Sequence, residues 1–291
     1  MPGPTNVKEL VDLGERVLAD STHIFEDHDN RREAEELLAH TTHVARSELD
    51  GSGDANPRAA ERYLSLIARR AAGEPFPFLT GRIEFYGLTL TVRPGAFVPR
   101  ASSELTVERA ARRVRRRRQP VIVDLCTGAG PIALALADEF PDAEVWGTDI
   151  SDEGIRQGRS NARRLEIRNV RLRRGDMYGA LPRRLRGRVD VITAHVPYVP
   201  VEELEDLPAE VREHEPIYTL TDESSDGLDL MRHAVANAPE WLKPGGWLLL
   251  EMSDDIAGKA RRLCRRAGLE DKGVASDEDD LSVVVEARFP G

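Results

Sequence analysis

At 291 residues the chain is long for one compact domain and short for two full-sized ones, which points to a catalytic-sized domain with a smaller appendage. It is 40% hydrophobic but has no apolar stretch of about 18 residues, and Met1 to Leu10 lack the basic start and apolar centre of a secretory signal; a soluble, cytoplasmic protein is expected. A net charge of -10 argues against general nucleic-acid binding, and the two cysteines, Cys126 and Cys264, lie too far apart in sequence for a zinc knuckle or a disulfide framework.

Helical periodicity runs from Val7 to Arg70, in Leu10, Leu13, Val17 and Leu18, then Ala34, Leu37 and Leu38, then Tyr63, Leu64 and Ile67. Residues 1–80 therefore read as a small helical domain, with turn chemistry at Asp50 to Asp54 and at Asn56-Pro57. After the prolines Pro75 and Pro77, Ile83 to Val98 reads as two extended segments around Gly87, so residues 81–100 form a linker hairpin. A basic run, Arg112, Arg113 and Arg115 to Arg118, suits the solvated C-terminal end of a helix better than a phosphate patch.

From Pro120 apolar runs alternate with amphipathic helices: Val121 to Leu125, Val145 to Asp149, Val170 to Leu172, Val189 to Ala194 and Trp247 to Glu251. This alternation predicts an α/β domain over residues 101–291, a mostly parallel sheet with helices on both faces. Leu281 to Ala287 follows the turn-like Ser276 to Asp280 and pairs in an antiparallel hairpin with the segment after Gly268.

The strongest local signal is Val121-Ile-Val-Asp-Leu-Cys-Thr-Gly128-Ala-Gly130-Pro, a strand entering a glycine turn and then a helix with Pro131 at its first position. Gly128 and Gly130 leave room for a ligand, and the helix N-terminus offers unpaired donors. The same residues fit a dinucleotide fingerprint, and Asp149, about 20 residues on, suits the ribose of NAD or of adenosylmethionine alike. Asp124 before the glycines and Asp176 after the third strand tilt the choice towards a methyltransferase, the first near the cofactor's amino-acid portion and the second near its adenine. Cys126, Thr127, Ile150, Met177 and His195 complete the expected cofactor site. No metal site is expected.

Several segments together resemble the release-factor glutamine methyltransferases, the HemK/PrmC family: Glu84-Phe-Tyr-Gly-Leu, Val98-Pro-Arg100, Gly227-Leu-Asp-Leu, and Ala194-His195-Val196-Pro197-Tyr198 where that family has Asn-Pro-Pro-Tyr. The resemblance implies a class I methyltransferase Rossmann-like domain behind a small helical domain, with S-adenosylmethionine as cofactor and S-adenosylhomocysteine as product. It also implies a planar nitrogen group held by the first motif side chain and the next backbone carbonyl, with the tyrosine packed nearby. Here His195 replaces the asparagine and Val196 the first proline. Further departures are Ala101-Ser-Ser-Glu104 for Pro-Glu-Thr-Glu, and Cys126 in a place often held by glycine.

The loop after the motif holds eleven acids, Glu202, Glu203, Glu205, Asp206, Glu210, Glu213, Glu215, Asp222, Glu223, Asp226 and Asp229, against Arg212 alone. With the altered motif, this charge suggests a cationic substrate. The expectation is therefore a small-molecule N-methyltransferase acting on the guanidino nitrogen of free L-arginine in a biosynthetic pathway. His195, Tyr198 and Glu215 would be catalytic, and Val196, Pro197 and Arg100 substrate-binding; His195 or Glu215 would take the proton of a guanidinium whose pKa exceeds about 12. The alternative is glutamine methylation in a translation release factor, gripped by the helical domain and its acids Glu26, Asp27, Glu33, Glu35 and Glu36. More distant readings are a non-catalytic cofactor-binding module, an adenine-N6 nucleic-acid methyltransferase and a dehydrogenase. Neither nucleic acid nor membrane is expected as a partner.

Overall fold

Local capping sets the helix starts of the first unit. α1 (Val7–Ala19) begins after Asn6, whose side chain accepts from the Glu9 amide, and α2 (Asn30–Thr42) after Asp29, which accepts from Arg32. α3 (Pro57–Ala71) has Asn56 as cap and Pro57 as first residue, so the pair read as a turn starts the helix itself. α4 (Phe76–Thr80) forms around Pro77. The structure, a computed structural model, describes residues 5–24, 29–276 and 282–291; Glu26, Asp27 and most of the turn expected at Ser276 to Asp280 lie outside the described residues.

The first unit comprises Met1–Arg82 together with the distant segment Glu205–Glu215. Leu10, Leu37, Leu38, Tyr63 and Ile67 form its apolar centre, and the Tyr63 hydroxyl donates to the Leu10 carbonyl at 3.0 Å. Arg70 is fully buried there. Its guanidinium donates to Glu33 through Nε at 2.7 Å and Nη2 at 3.2 Å, and to Glu210 through Nη1 at 2.8 Å. A buried cation is tolerated only with such partners. The acids expected to face a protein partner are thus engaged locally: Glu33 with Arg70, Glu35 with Arg31 and Arg46, and Glu36 with Arg32.

The second unit, Ile83–Leu204 with Pro216–Gly291, opens with the hairpin of β1 (Arg82–Phe85) and β2 (Leu88–Thr91), which turns through Tyr86 and Gly87 and of which only Arg82 is counted with the first unit. Then come α5 (Glu104–Val114), β3 (Val121–Leu125), α6 (Pro131–Glu139), β4 (Glu144–Asp149), α7 (Asp152–Arg164), β5 (Val170–Arg174) and β6 (Val189–Ala194). α8 (Ala209–His214) falls in the segment counted with the first unit, and α9 (Asp229–Trp241), β7 (Leu242–Met252), α10 (Asp254–Arg266), β8 (Glu270–Ser276) and β9 (Val283–Arg288) complete the chain.

The seven strands order as β5-β4-β3-β6-β7-β9-β8, with β3 to β7 parallel and β9 antiparallel to both β7 and β8. This is the mostly parallel class I sheet with the expected C-terminal hairpin. Successive residues of the fully buried β3 feed opposite layers: Ile122 joins Val107, Ala110 and Leu134, whereas Val123 and Leu125 join Met231, Val235 and Leu248. Burial on both faces is why these strands read as unbroken apolar runs. β7 starts at Leu242, five residues before the apolar run that marks it, and its pairing with β6 shifts register between Val189 and Val191. Among the described residues, no helix is long and apolar enough to cross a membrane.

Candidate active site

Parallel pairing places Asp124 and Leu125 of β3 beside Gly147 and Thr148 of β4 on one side and Thr193 and Ala194 of β6 on the other. The loops that leave β3, β4, β5 and β6 at their carboxyl ends therefore gather Cys126 to Gly130, Asp149 to Ser151, Gly175 to Met177 and His195 to Tyr198, the position where open α/β sheets bind ligands.

Each acid of the cofactor motif has a different environment. Asp124 is buried and accepts hydrogen bonds from the Thr127 hydroxyl and, at 2.7 Å, from the Thr193 hydroxyl. Burial pushes its carboxyl up to about 7; the two hydroxyls oppose that rise, and the charges of Glu251 and Asp149 add to it. Asp149 accepts from the Gly128 amide at 2.7 Å on one oxygen and from the Ser151 amide at 2.8 Å on the other, so each oxygen keeps acceptor capacity for a ribose hydroxyl. Asp176 precedes the turn Met177–Ala180 without capping it through its side chain. Cys126 lies at φ 54° in the glycine turn, and burial together with Asp149, Asp124 and Asp176 raises its thiol pKa, leaving it a neutral wall and not a nucleophile.

The cradle suits adenosylmethionine. At Gly128, φ 54°, an added Cβ would meet nothing within 4 Å, so the turn faces open space, while at Gly130, φ 81°, it would press on Leu172 at 3.2 Å. Beside this turn, Ile150 leaves 53% of its surface exposed, an apolar face suited to a purine ring. Tyr218, which the sequence did not single out, is near the same place: its hydroxyl donates to the Gly95 carbonyl at 3.0 Å and lies 3.1 Å from Ser151 Oγ, the cap of α7. Among the described residues no cluster of His, Cys, Asp and Glu could hold a metal ion.

His195 leaves the end of β6 with its ring fixed on two sides. Phe97 meets it edge-on at 5.5 Å between centroids, and Tyr198 stacks on it at 5.8 Å and 24°. Its Nδ1 lies 3.5 Å from Oε1 of the fully buried Glu251. Tyr198 is kept a neutral phenol by burial, and the charges of Glu251 and Asp255 act the same way. Val196 turns its side chain into the core, leaving the backbone as what it can offer a substrate, and Arg100 lies over the Phe97 ring at 4.7 Å. Gly227, at φ 65°, lies against the Tyr198 carbonyl, only 2.1 Å from where a Cβ would stand, which explains the glycine that opens Gly227-Leu-Asp-Leu.

The acidic loop looks different once folded. Glu205 and Glu213 flank Arg212, Glu210 pairs with Arg70, Asp226 and Asp229 pair with Arg232, and Asp222 accepts from Ser224 and the Leu230 amide. Glu215 is buried at the end of α8 and belongs to the segment counted with the helical unit. Sequence reasoning missed Phe97, Glu251, Ser103 and Thr106 around His195; a terminal acid in Leu248-Leu-Leu-Glu251 was the one visible sign.

Comparison with known proteins bears on the substrate. A methyltransferase domain model matches residues 117–277 and a PrmC N-terminal domain model residues 16–81. A release factor glutamine methyltransferase of Streptomyces coelicolor is 42% identical over 79% of this chain and 80% of its own, and one of Xylella fastidiosa is 35% identical over 90% and 94%. A methyltransferase structure from Pyrococcus furiosus, 18% identical, covers 81% of this chain and all of its own with a TM-score of 0.51, in agreement with the fold. These relatives overturn the expectation of a free-arginine methyltransferase in a biosynthetic pathway: their identity runs through both units, and they are named for a protein glutamine. Several of the acids are paired locally, Glu210 with Arg70 and Asp226 and Asp229 with Arg232, so their number along the chain is no measure of charge offered to a substrate. The chain is an S-adenosylmethionine-dependent N-methyltransferase and belongs to the release factor glutamine methyltransferase (HemK/PrmC) family.

Proposed function

We propose that this enzyme methylates the side-chain amide nitrogen of a glutamine in a translation release factor. The observation that carries the reading is that relatives named for this reaction match across the helical unit as well as the catalytic one, at 35% identity over 90% of the chain. Both cysteines are free thiols, which suits the cytoplasm.

Adenosylmethionine supplies an electrophilic methyl group: as the nitrogen–carbon bond forms, the carbon–sulfur bond breaks with its electron pair going to sulfur, and the nitrogen sheds a proton. The chain's residues divide the remaining work. Asp124 would hold the cofactor's ammonium group, Thr127, Gly128 and Gly130 would line its approach, Asp149 would hold the ribose, and Ile150, Asp176 and Met177 would border the adenine. His195 and the backbone carbonyl of Val196 accept the N–H bonds of the amide, Pro197 keeps the turn rigid, and the Tyr198 ring covers the planar group. The catalytic gain is mainly orientation, since an amide lone pair is delocalised and attacks only along a defined direction.

The test is mass spectrometry of a release factor incubated with the enzyme and adenosylmethionine. One added methyl on the glutamine of its exposed loop is expected. An unmodified release factor, with cofactor binding intact, would refute the reading.

A further inference from the structure

We infer that Glu251 is a positioning residue for methyl transfer: it holds the His195 proton on Nδ1, so that Nε2 presents a lone pair to the substrate N–H. The inference rests on the reading that a nitrogen is methylated beside His195. It follows from how β6 and β7 pair. Ala194 is level with Leu250, so the next residues along the two parallel strands, His195 and Glu251, stand side by side where the strands end.

The Glu251 side chain is fully buried, accepts from two hydroxyls and faces the His195 ring. Ser103 Oγ donates to Oε1 at 2.7 Å, Thr106 Oγ1 donates to Oε2 at 2.8 Å, and His195 Nδ1 lies 3.5 Å from Oε1. With both hydroxyls donating to it, the carboxylate acts as an acceptor. A ring nitrogen facing it must then bring a hydrogen, because two opposed lone pairs repel. In a neutral imidazole that assignment leaves Nε2 unprotonated, and Nε2 is on the side of the ring away from Glu251. The ring cannot readily turn over to exchange its nitrogens, since Phe97 meets it edge-on and Tyr198 covers a face.

This arrangement answers a chemical difficulty of the motif. An asparagine oxygen is always an acceptor, whereas a histidine can offer either a donor or an acceptor on its exposed side. A substrate amide presents N–H donors, so only the tautomer with Nε2 bare receives it. When the nitrogen–methyl bond forms and the nitrogen sheds its proton, Nε2 takes that proton. The imidazolium then keeps its Nδ1 hydrogen towards the Glu251 carboxylate, whose charge stabilises it, and releases the proton to water after product leaves. The buried carboxylate of a serine hydrolase triad orients its histidine by the same physics.

The test reads the tautomer directly and then the turnover. In the full-length protein with S-adenosylhomocysteine bound and histidine ring nitrogens labelled with ¹⁵N, the wild type shows Nδ1 protonated and Nε2 bare; the reverse assignment overturns the proposal, whatever the substrate proves to be. Glu251→Gln lowers kcat on the release factor by at least about tenfold, less than the loss of a full general base because the imidazole remains, with cofactor Kd changed less than about twofold. In a His195→Ala background, where no side chain is left to orient, the same substitution changes kcat less than about twofold. An equal loss in both backgrounds assigns Glu251 a structural role through Ser103 and Thr106 and overturns the inference. Should no variant methylate the release factor, the substrate reading fails while the ¹⁵N spectrum still decides the Glu251 proposal.

Discussion

Asp124 predicts a pH dependence of cofactor affinity that can be calculated before it is measured. Its folded pKa is raised to about 7 by burial, against an ordinary value of 3.8. The ionised fraction is therefore about one tenth at pH 6 and about one half at pH 7. If the cofactor's ammonium binds only the carboxylate, the apparent Kd tightens about fivefold over that interval, or roughly 1 kcal/mol. Stability of the cofactor-free protein runs the opposite way. A group whose folded pKa lies above its unfolded value holds its proton more tightly when folded, so stability is highest below about pH 4 for this group and falls as pH rises towards 7. Titration calorimetry with S-adenosylhomocysteine at pH 6, 6.5 and 7, beside denaturant unfolding of the cofactor-free protein, reads both slopes. Asp124→Asn should abolish both while weakening binding at pH 7. A wild-type Kd constant across the interval, or a slope that survives in Asp124→Asn, would refute the reasoning.

Three further outcomes are expected. Asp149→Ala removes the acceptor for the Gly128 and Ser151 amides as well as the ribose, and should weaken cofactor binding about 10- to 100-fold by calorimetry while costing about 1 to 3 kcal/mol of stability; unaltered affinity would place the ribose elsewhere. Gly227→Ala drives a Cβ into the Tyr198 carbonyl and should lower kcat at least about tenfold while cofactor Kd holds, a split absent if the motif backbone is free to shift. Arg70→Ala strands Glu33 and Glu210 and should cost about 3 to 5 kcal/mol in urea unfolding; a loss under about 1 kcal/mol would mean that water replaces the guanidinium.

The catalytic unit was legible because a sheet buried on both faces leaves unbroken apolar runs, and because the glycine turn needs Gly128 and Gly130 for backbone reasons that show in sequence. The acids Asp124, Asp149 and Asp176 stand out in sequence for a related reason, since each lies at or within two residues of the carboxyl end of a strand. Glu251 was not, because its meaning lies in a neighbour 56 positions away that only β6–β7 pairing supplies. The acidic loop was over-read: charge counted along a chain takes no account of partners such as Arg70 and Arg232, which lie far off in sequence or on the next helix. The start of β7 escaped because Lys243-Pro-Gly-Gly246 carries turn residues within a strand.

The excursion of residues 205–215 means that the helical unit is not one continuous stretch of gene. The polypeptide passes from one unit to the other three times, after Arg82, after Leu204 and after Glu215. A truncation at Arg82 would therefore amputate a piece of the unit it was meant to isolate, leaving Arg70 with Glu33 but without Glu210. The same holds for exchange between relatives: a chimera that swaps only the amino-terminal helices pairs a new Arg70 site with an old Glu210, and a functional graft must carry both pieces across together.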